Sequence, residues 1–163
     1  MTATEISAHP RSALLDDIPA ITALWQETGL YRPYNPPAWD ISFAISADNA
    51  TLLVWEDVNG VIVGTVMMGH DGHRGWIYYL AVAKCHQKSG LGRRLMRQGE
   101  NWLREHGVWR MQLMVRSENG KVQDFYKHLG YRALDVTVMQ KDIDTAPAER
   151  GDAFAPPTAK AGE

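Results

Sequence analysis

Two runs of β-forming residues, Thr51-Leu-Leu-Val-Trp-Glu56 and Val61-Ile-Val-Gly-Thr-Val-Met-Met68, stand on either side of Asp57-Val-Asn-Gly60. Asn-Gly accepts the positive φ of a tight hairpin, so the two runs are expected to pair antiparallel. A second turn, Asp71-Gly-His-Arg-Gly75, leads into Trp76-Ile-Tyr-Tyr-Leu-Ala-Val82, a third run rich in β-branched and aromatic residues. Three consecutive strands make a meander, and every other segment must pack around it.

Before the meander, Ser12-Ala-Leu-Leu-Asp-Asp17 runs from a short strand into a helix, with Asp16 or Asp17 as N-cap and Pro19 in the first turn. Ile18, Ile21, Leu24 and Trp25 recur at helical spacing, and the helix should stop near Gly29. Tyr31-Arg-Pro-Tyr-Asn-Pro-Pro37 is expected to be a loop, because its prolines fix φ and remove donors. A short helix should cover 38–46. After the meander, Leu91 to His106 reads as an amphipathic helix with Leu91, Leu95 and Trp102 on one face, closed by Gly107. Trp109 to Val115 should form a strand, Val122 to Leu129 a helix ended by Gly130, and Ala133 to Lys141 a last strand. Meander and βαβ crossovers together predict an α/β fold, a single mixed, mostly antiparallel twisted sheet flanked by helices.

With 163 residues, 45% of them hydrophobic and 22% charged, one domain is expected. It should span 12–143, after a flexible segment at 1–11. From 144 to 163 the composition shifts to Ala, Pro, Glu, Lys and Gly, which buries too little surface to order, so this tail is expected to be disordered. A net charge of -2 lacks the basic excess that binding phosphate backbones requires, which argues against nucleic acid as a partner. No run of about 18 apolar residues occurs and the start lacks an apolar leader, so neither a membrane span nor export is expected. Cys85, the one cysteine, excludes an intramolecular disulfide and fits a reducing cytoplasm.

Between the third strand and the helix opening near Leu91 lies Ala83-Lys-Cys-His-Gln-Lys-Ser-Gly-Leu-Gly92. A loop with glycines at a helix start gathers unpaired N–H groups and the positive end of the helix dipole, and so favours an anion. Lys88, Arg93 and Arg94 add charge. A P-loop would need Gly-Lys-Ser/Thr, and none occurs. A dinucleotide fingerprint would need Gly or Ala where Leu95 stands, and it would open a βαβ half rather than follow a meander.

Gln87-Lys-Ser-Gly-Leu-Gly92, five residues after Val82, resembles the Gln/Arg-x-x-Gly-x-Gly/Ala signature of the GNAT acetyltransferases. Asn119, seven residues before Tyr126, lies in Asn-Gly-Lys-Val-Gln-Asp-Phe-Tyr-Lys-His-Leu-Gly-Tyr131, which is similar to that family's second motif. The likeness covers about 12–143 and is strongest over 76–131, nearest to the bacterial YpeA-type members. It implies that Gln87, Lys88, Ser89, Gly90, Leu91, Gly92 and Arg93 cradle the pyrophosphate of acetyl-CoA, used as cosubstrate. The strand end Leu80, Ala81 and Val82 would hold the acetyl and pantetheine arm through main-chain groups. Asn119 and Phe125 would meet the arm from the other side, and Tyr126 would stand by the sulfur as general acid.

The chain also departs from the family pattern. Lys88 takes a position that is often Gly, at little cost if its φ is negative. Many relatives carry a Glu on the strand matching Trp76 to Val82 as base, where this chain has Tyr78 and Tyr79. Water or Tyr79 would then take the proton of the amine. The stretch after Tyr131 is too short for a long hairpin, so a single strand and an open acceptor side are expected. Arg32 and Asn35 in the proline-rich loop, with Asp71, His73 and Arg74 in the second turn, are candidates for acceptor contacts. His70, His73 and His86 lack a Cys or second carboxylate at ligand spacing, so they are read as solvated turn residues and no metal is expected.

Two functions follow. The first is an N-acetyltransferase moving acetyl from acetyl-CoA to a primary amine of a small molecule, peptide or protein. The second is a non-catalytic acyl-CoA-binding or sensory module on the same fold. Tyr126 favours the enzyme, because a binding module needs no proton donor at the sulfur. A homodimer joined at the sheet edge is compatible with either.

Overall fold

The computed structural model describes residues 5–152. In chain order it contains β1 (Arg11–Ser12), α1 (Ile18–Glu27), α2 (Pro37–Ser46), β2 (Ala50–Glu56), β3 (Ile62–His70), β4 (Gly75–Val82), α3 (Leu91–Glu105), β5 (Met111–Leu113), α4 (Gly120–His128) and α5 (Pro147–Arg150). One five-stranded sheet has the order β1-β2-β3-β4-β5. The meander pairs antiparallel, with Val54 opposite Thr65 and Met68 opposite Ile77, whereas β5 joins β4 in parallel after the α3 crossover.

Strand alternation assigns the helices to opposite faces. On β3, Gly64, Val66 and Met68 meet Leu95 and Gly99 of α3. Between them, Thr65 accepts a hydrogen bond from Trp25 Nε1 of α1 at 3.0 Å. The α3 side is close-packed: a Cβ on Gly99 would stand 2.8 Å from Ile77 Cδ1, and one on Gly64 would stand 2.9 Å from Leu95 Cδ1. This close approach fixes where the α3 N-terminus meets the end of β4. Trp25, Trp55, Ile21, Ile41, Leu52, Met68, Leu91 and Leu95 are fully buried, and they put the core on both faces of β2–β4.

Several sequence expectations need correction. The last strand expected over 133–141 does not form: the segment pairs with no strand and bends at Asp135, and Leu134, Val136, Val138 and Met139 are exposed. The alternation is there, but β propensity alone makes no strand without a partner edge. β5 covers only Met111–Leu113 of the expected 109–115, its last pair with β4 being Leu113 with Ile77, just before the irregularity that sets Tyr79 and Leu80 opposite Val66. Asp17 stands at the N-cap position of α1, as expected, but its side chain makes no capping hydrogen bond to that helix. Its carboxylate instead takes the Leu14 N–H at 2.8 Å and a two-point contact from Arg11.

The segment expected to be flexible at the start runs beside β2. Ser7 N–H donates to Glu56 O at 2.8 Å, and Trp55 Nε1 donates to Ser7 O at 2.8 Å. In the segment expected as a tail, α5 brings Arg150 over the Trp39 ring at 5.6 Å, paired with Asp144 and Asp152. Residues 1–4 and 153–163, where the rest of those two expectations falls, lie outside the described residues.

Candidate active site

A bulge in β4 organises the site. Thr65 pairs with Ala81 and Met67 with Tyr78, so Tyr79 and Leu80 together face the single residue Val66. Tyr79 takes φ 49°, a left-handed conformation that costs an aromatic residue about 1–2 kcal/mol. Three contacts hold it there. Thr65 Oγ1 donates to Tyr79 O at 2.8 Å, the Trp25 ring stacks on the Tyr79 ring at 3.8 Å, and the Tyr79 hydroxyl donates to Asp40 Oδ2 at 2.5 Å. In a regular strand neighbours face opposite sides, but the bulge lets both Tyr78 and Tyr79 line one cleft.

Beyond the bulge the far edge of β4 is free. Ala83 N–H donates to Val63 O on β3 at 2.8 Å, so alternation turns the main-chain groups of Val82 and Leu80 away from β3. Val82 O takes the Gln87 side chain at 3.2 Å. With β5 diverging after Leu113, a slot opens beside Leu80, Ala81 and Val82 that an extended ligand could enter as an added strand.

At the end of this slot the loop before α3 presents a run of amides. Among the described residues, no protein acceptor meets the N–H groups of Lys88, Ser89, Gly90, Gly92 or Arg93. That of Leu91 lies 3.4 Å from Ser89 Oγ, which itself donates to His86 O at 2.6 Å. Gly90 at φ 87° and Lys88 at φ 63° curl the chain so that these amides converge. Lys88 therefore does not meet the condition, a negative φ, under which it would replace a glycine at little cost. Gly92 proves to be a packing glycine: a Cβ there would meet the Phe125 ring at 3.3 Å and Val82 Cγ2 at 3.7 Å. Arg93 is exposed beside the loop, whereas Arg94 donates to Ala8 O and lies over the Trp55 ring at 4.3 Å.

The second motif borders the slot from α4. Asn119 caps that helix, its Oδ1 accepting from Val122 N–H at 3.4 Å. Tyr126 packs edge-on against Phe125 and Tyr131, at 5.1 and 5.6 Å between ring centres. Burial pushes its phenol up to about 12, and no hydrogen bond engages its hydroxyl among the described residues. Tyr131 is different, since its hydroxyl is spent on Glu100 Oε1 at 3.0 Å.

On the α1–α2 side lies a cleft of about 820 Å³ between the proline-rich loop, α2 and β2–β4. Of the acceptor candidates, Asn35, Asp71 and Tyr79 line it and Arg32, His73 and Arg74 do not. The Arg32 guanidinium donates to Gly29 O and Tyr31 O, and that of Arg74 to His73 O. Asp71 closes its own turn, accepting from the His73 and Arg74 amides and from Trp76 Nε1, which hold its carboxyl down at about 2. Of the histidines expected as solvated turn residues, His86 is buried against Cys85, and His70 is half-buried at the end of β3, where it lines the cleft beside the Trp102 and His106 rings. Asp40, which sequence reasoning missed, is the one charged residue of α2 and lines the cleft. Burial raises its carboxyl above the ordinary range, against the opposing hydrogen bond from Tyr79. A single carboxylate in the apolar run Pro37-Ala-Trp-Asp-Ile-Ser-Phe-Ala44 was the available signal.

The model of the Acetyltransferase (GNAT) family matches residues 18–131, from α1 through Tyr131. The chain belongs to the GNAT family of acetyltransferases. An acetyltransferase of Pectobacterium atrosepticum is 40% identical over 128 residues, spanning 78% of this chain and 90% of that protein. One of Yersinia pestis is 38% identical over the same shares. Among solved structures, AAC(6')-Iy in complex with the bisubstrate analog CoA-S-monomethyl-acetylneamine superposes with TM-score 0.70 at 14% identity, covering 82% of this chain and 97% of that one. This GNAT chain is therefore an N-acetyltransferase, and the open mixed sheet is the fold of its structural neighbours. No helix among its described residues is long and apolar enough to cross a membrane.

Proposed function

We propose that this GNAT enzyme transfers the acetyl group of acetyl-CoA to a primary amine by direct attack in a ternary complex, in the cytoplasm. The observation that carries the reading is the run of amides at 88–93, all but that of Leu91 without a protein acceptor among the described residues, at one end of a slot whose bulge also lines a cleft with a half-buried carboxylate. The amides of Lys88 to Arg93 would take the pyrophosphate, helped by the Lys88 and Arg93 charges and the α3 dipole. Leu80 and Val82 would hydrogen-bond the arm, with Asn119 and Phe125 on its other side. Acetyl-CoA itself supplies the activated acyl thioester.

The amine enters from the cleft as an ammonium and must lose a proton before it can attack. Tyr79 is unsuited to that step, because its phenol donates to Asp40 and is held well above the ordinary range, chiefly by burial. Asp40 is the better acceptor: in a dry cleft burial raises a carboxyl and lowers an ammonium, so the two converge. The freed nitrogen then attacks the acetyl carbon. The C–N bond forms as the C–S bond breaks, the sulfur leaves with the Tyr126 proton, and the second proton of the nitrogen, released as the amide forms, returns through solvent to the Tyr126 phenolate. A main-chain N–H of the Leu80 to Val82 strand end would meet the charge developing on the carbonyl oxygen.

Calorimetry with acetyl-CoA on wild type and Gly90→Val tests the reading. A β-branched residue at φ 87° is strained whatever space it has, so binding should fall by about tenfold or more while circular dichroism is unchanged. Unchanged affinity would contradict the assignment.

A further inference from the structure

The cleft beside the bulge has a composition that selects among amines. Trp39, Phe43, Met67, Trp76 and Tyr78 make its walls; among the described residues no Lys or Arg lines it, and the one basic side chain there is His70, which has the Trp102 and His106 rings beside it. Two carboxylates line it. Both Asp71 oxygens are taken by the second turn, whereas Asp40 accepts only from Tyr79 through Oδ2 and its other oxygen has no protein donor among the described residues. Behind the wall, the Arg150 guanidinium over Trp39 is paired with Asp144 and Asp152. Arg32 and Arg74 are committed to main-chain carbonyls.

We infer that the acceptor is a carboxylate-free primary amine carried on a flat apolar body, its ammonium drawn to Asp40 and its body packed among the aromatic walls. This rests on the acyl-transfer reading above and adds the class of acceptor. An amine with a neighbouring carboxylate would set one anion beside another with no Lys or Arg among the described lining residues to offset it. A polyamine would bring further ammonium groups into walls that offer one unclaimed carboxylate. A single ammonium on an aromatic body satisfies both constraints: the charge meets Asp40, and the ring buries apolar surface against Trp39, Phe43 and Trp76. The volume suits such a molecule, since clefts of about 300–1,000 Å³ hold small organic ligands.

The test compares 2-phenylethylamine, phenylalanine and spermidine by thiol release at saturating acetyl-CoA. The expected kcat/KM for 2-phenylethylamine exceeds that for phenylalanine by about 10² or more, several kcal/mol of like-charge contact at tenfold per 1.4 kcal/mol. Asp40→Asn should lower turnover and bring the two amines closer together. Asn35→Arg, which places a cation at the cleft wall, should favour phenylalanine relative to wild type. A preference for phenylalanine or spermidine, no turnover of 2-phenylethylamine by enzyme that binds acetyl-CoA, or a ratio unmoved in both variants overturns the inference. Failure of the wild type to bind acetyl-CoA in calorimetry would overturn the proposed function instead.

Discussion

The Tyr79 hydroxyl donates to Asp40 Oδ2 at 2.5 Å, tying the β4 bulge to α2 across 39 residues of sequence. Burial raises the Asp40 carboxyl and this hydrogen bond lowers it, and no charged neighbour shifts it. Since Asp40 must be ionised to accept the amine proton, kcat/KM should rise with pH along a limb above the ordinary carboxylate value of about 4. Tyr79→Phe removes the lowering contact, so the limb should move to higher pH. Profiles measured at saturating acetyl-CoA check this, and a downward shift would contradict it.

The same carboxyl links stability to pH. Its folded pKa lies above its unfolded value, so its contribution favours folding below the unfolded pKa and is lost as pH rises through the folded one. Asp40→Asn carries no charge to desolvate, and an amide oxygen can still accept from Tyr79. The variant should therefore gain on wild type in denaturant midpoint as pH rises through that window, while losing activity. A difference that is constant with pH would count against a raised carboxyl.

Thr65 is fully buried, accepting from Trp25 Nε1 at 3.0 Å and donating to Tyr79 O at 2.8 Å. Thr65→Val keeps the shape and strands the indole N–H, a loss of about 1–3 kcal/mol. Chemical denaturation should show it. Because the bulge loses one of its three restraints, kcat/KM should fall as well, and full activity would mean that the bulge holds without Thr65.

The anion loop and the second motif were legible in the sequence because each is local: Gln87 to Gly92 and Asn119 to Tyr131 carry their chemistry within a few residues. The meander was legible too, since Asn59-Gly60 and the second turn specify neighbouring pairings. Asp40 was not assigned, because its role depends on Tyr79, and only the bulge brings that side chain to the α2 side. Arg32 and Arg74 were placed on the right segments, but nothing in a sequence shows that a guanidinium will turn back onto its own loop. The strand expected over 133–141 shows the limit of pattern alone: Leu134, Val136 and Val138 alternate correctly and meet no edge.

Lys88 at φ 63° offers a test of the loop geometry. Relief of left-handed strain, about 1–2 kcal/mol, exceeds the entropy cost of a glycine, about 0.4–1 kcal/mol. Lys88→Gly should therefore stabilise the fold by roughly 0.5–1 kcal/mol, while acetyl-CoA binding weakens modestly for want of the charge. Thermal unfolding and calorimetry read the two effects separately. Destabilisation would argue against the left-handed turn.

The acyl transfer itself is tested most directly by the single-turnover rate of Tyr126→Phe with acetyl-CoA and a competent amine. The substitution keeps the ring that packs on Phe125 and Tyr131 and removes only a hydroxyl that no hydrogen bond engages among the described residues. A phenol pushed up to about 12 stays protonated at working pH, as an acid for the departing sulfur must. The expected result is a rate lower by about 10² to 10⁴ with acetyl-CoA affinity unchanged. A rate within about twofold of wild type would show that the sulfur leaves without Tyr126 and would contradict the mechanism.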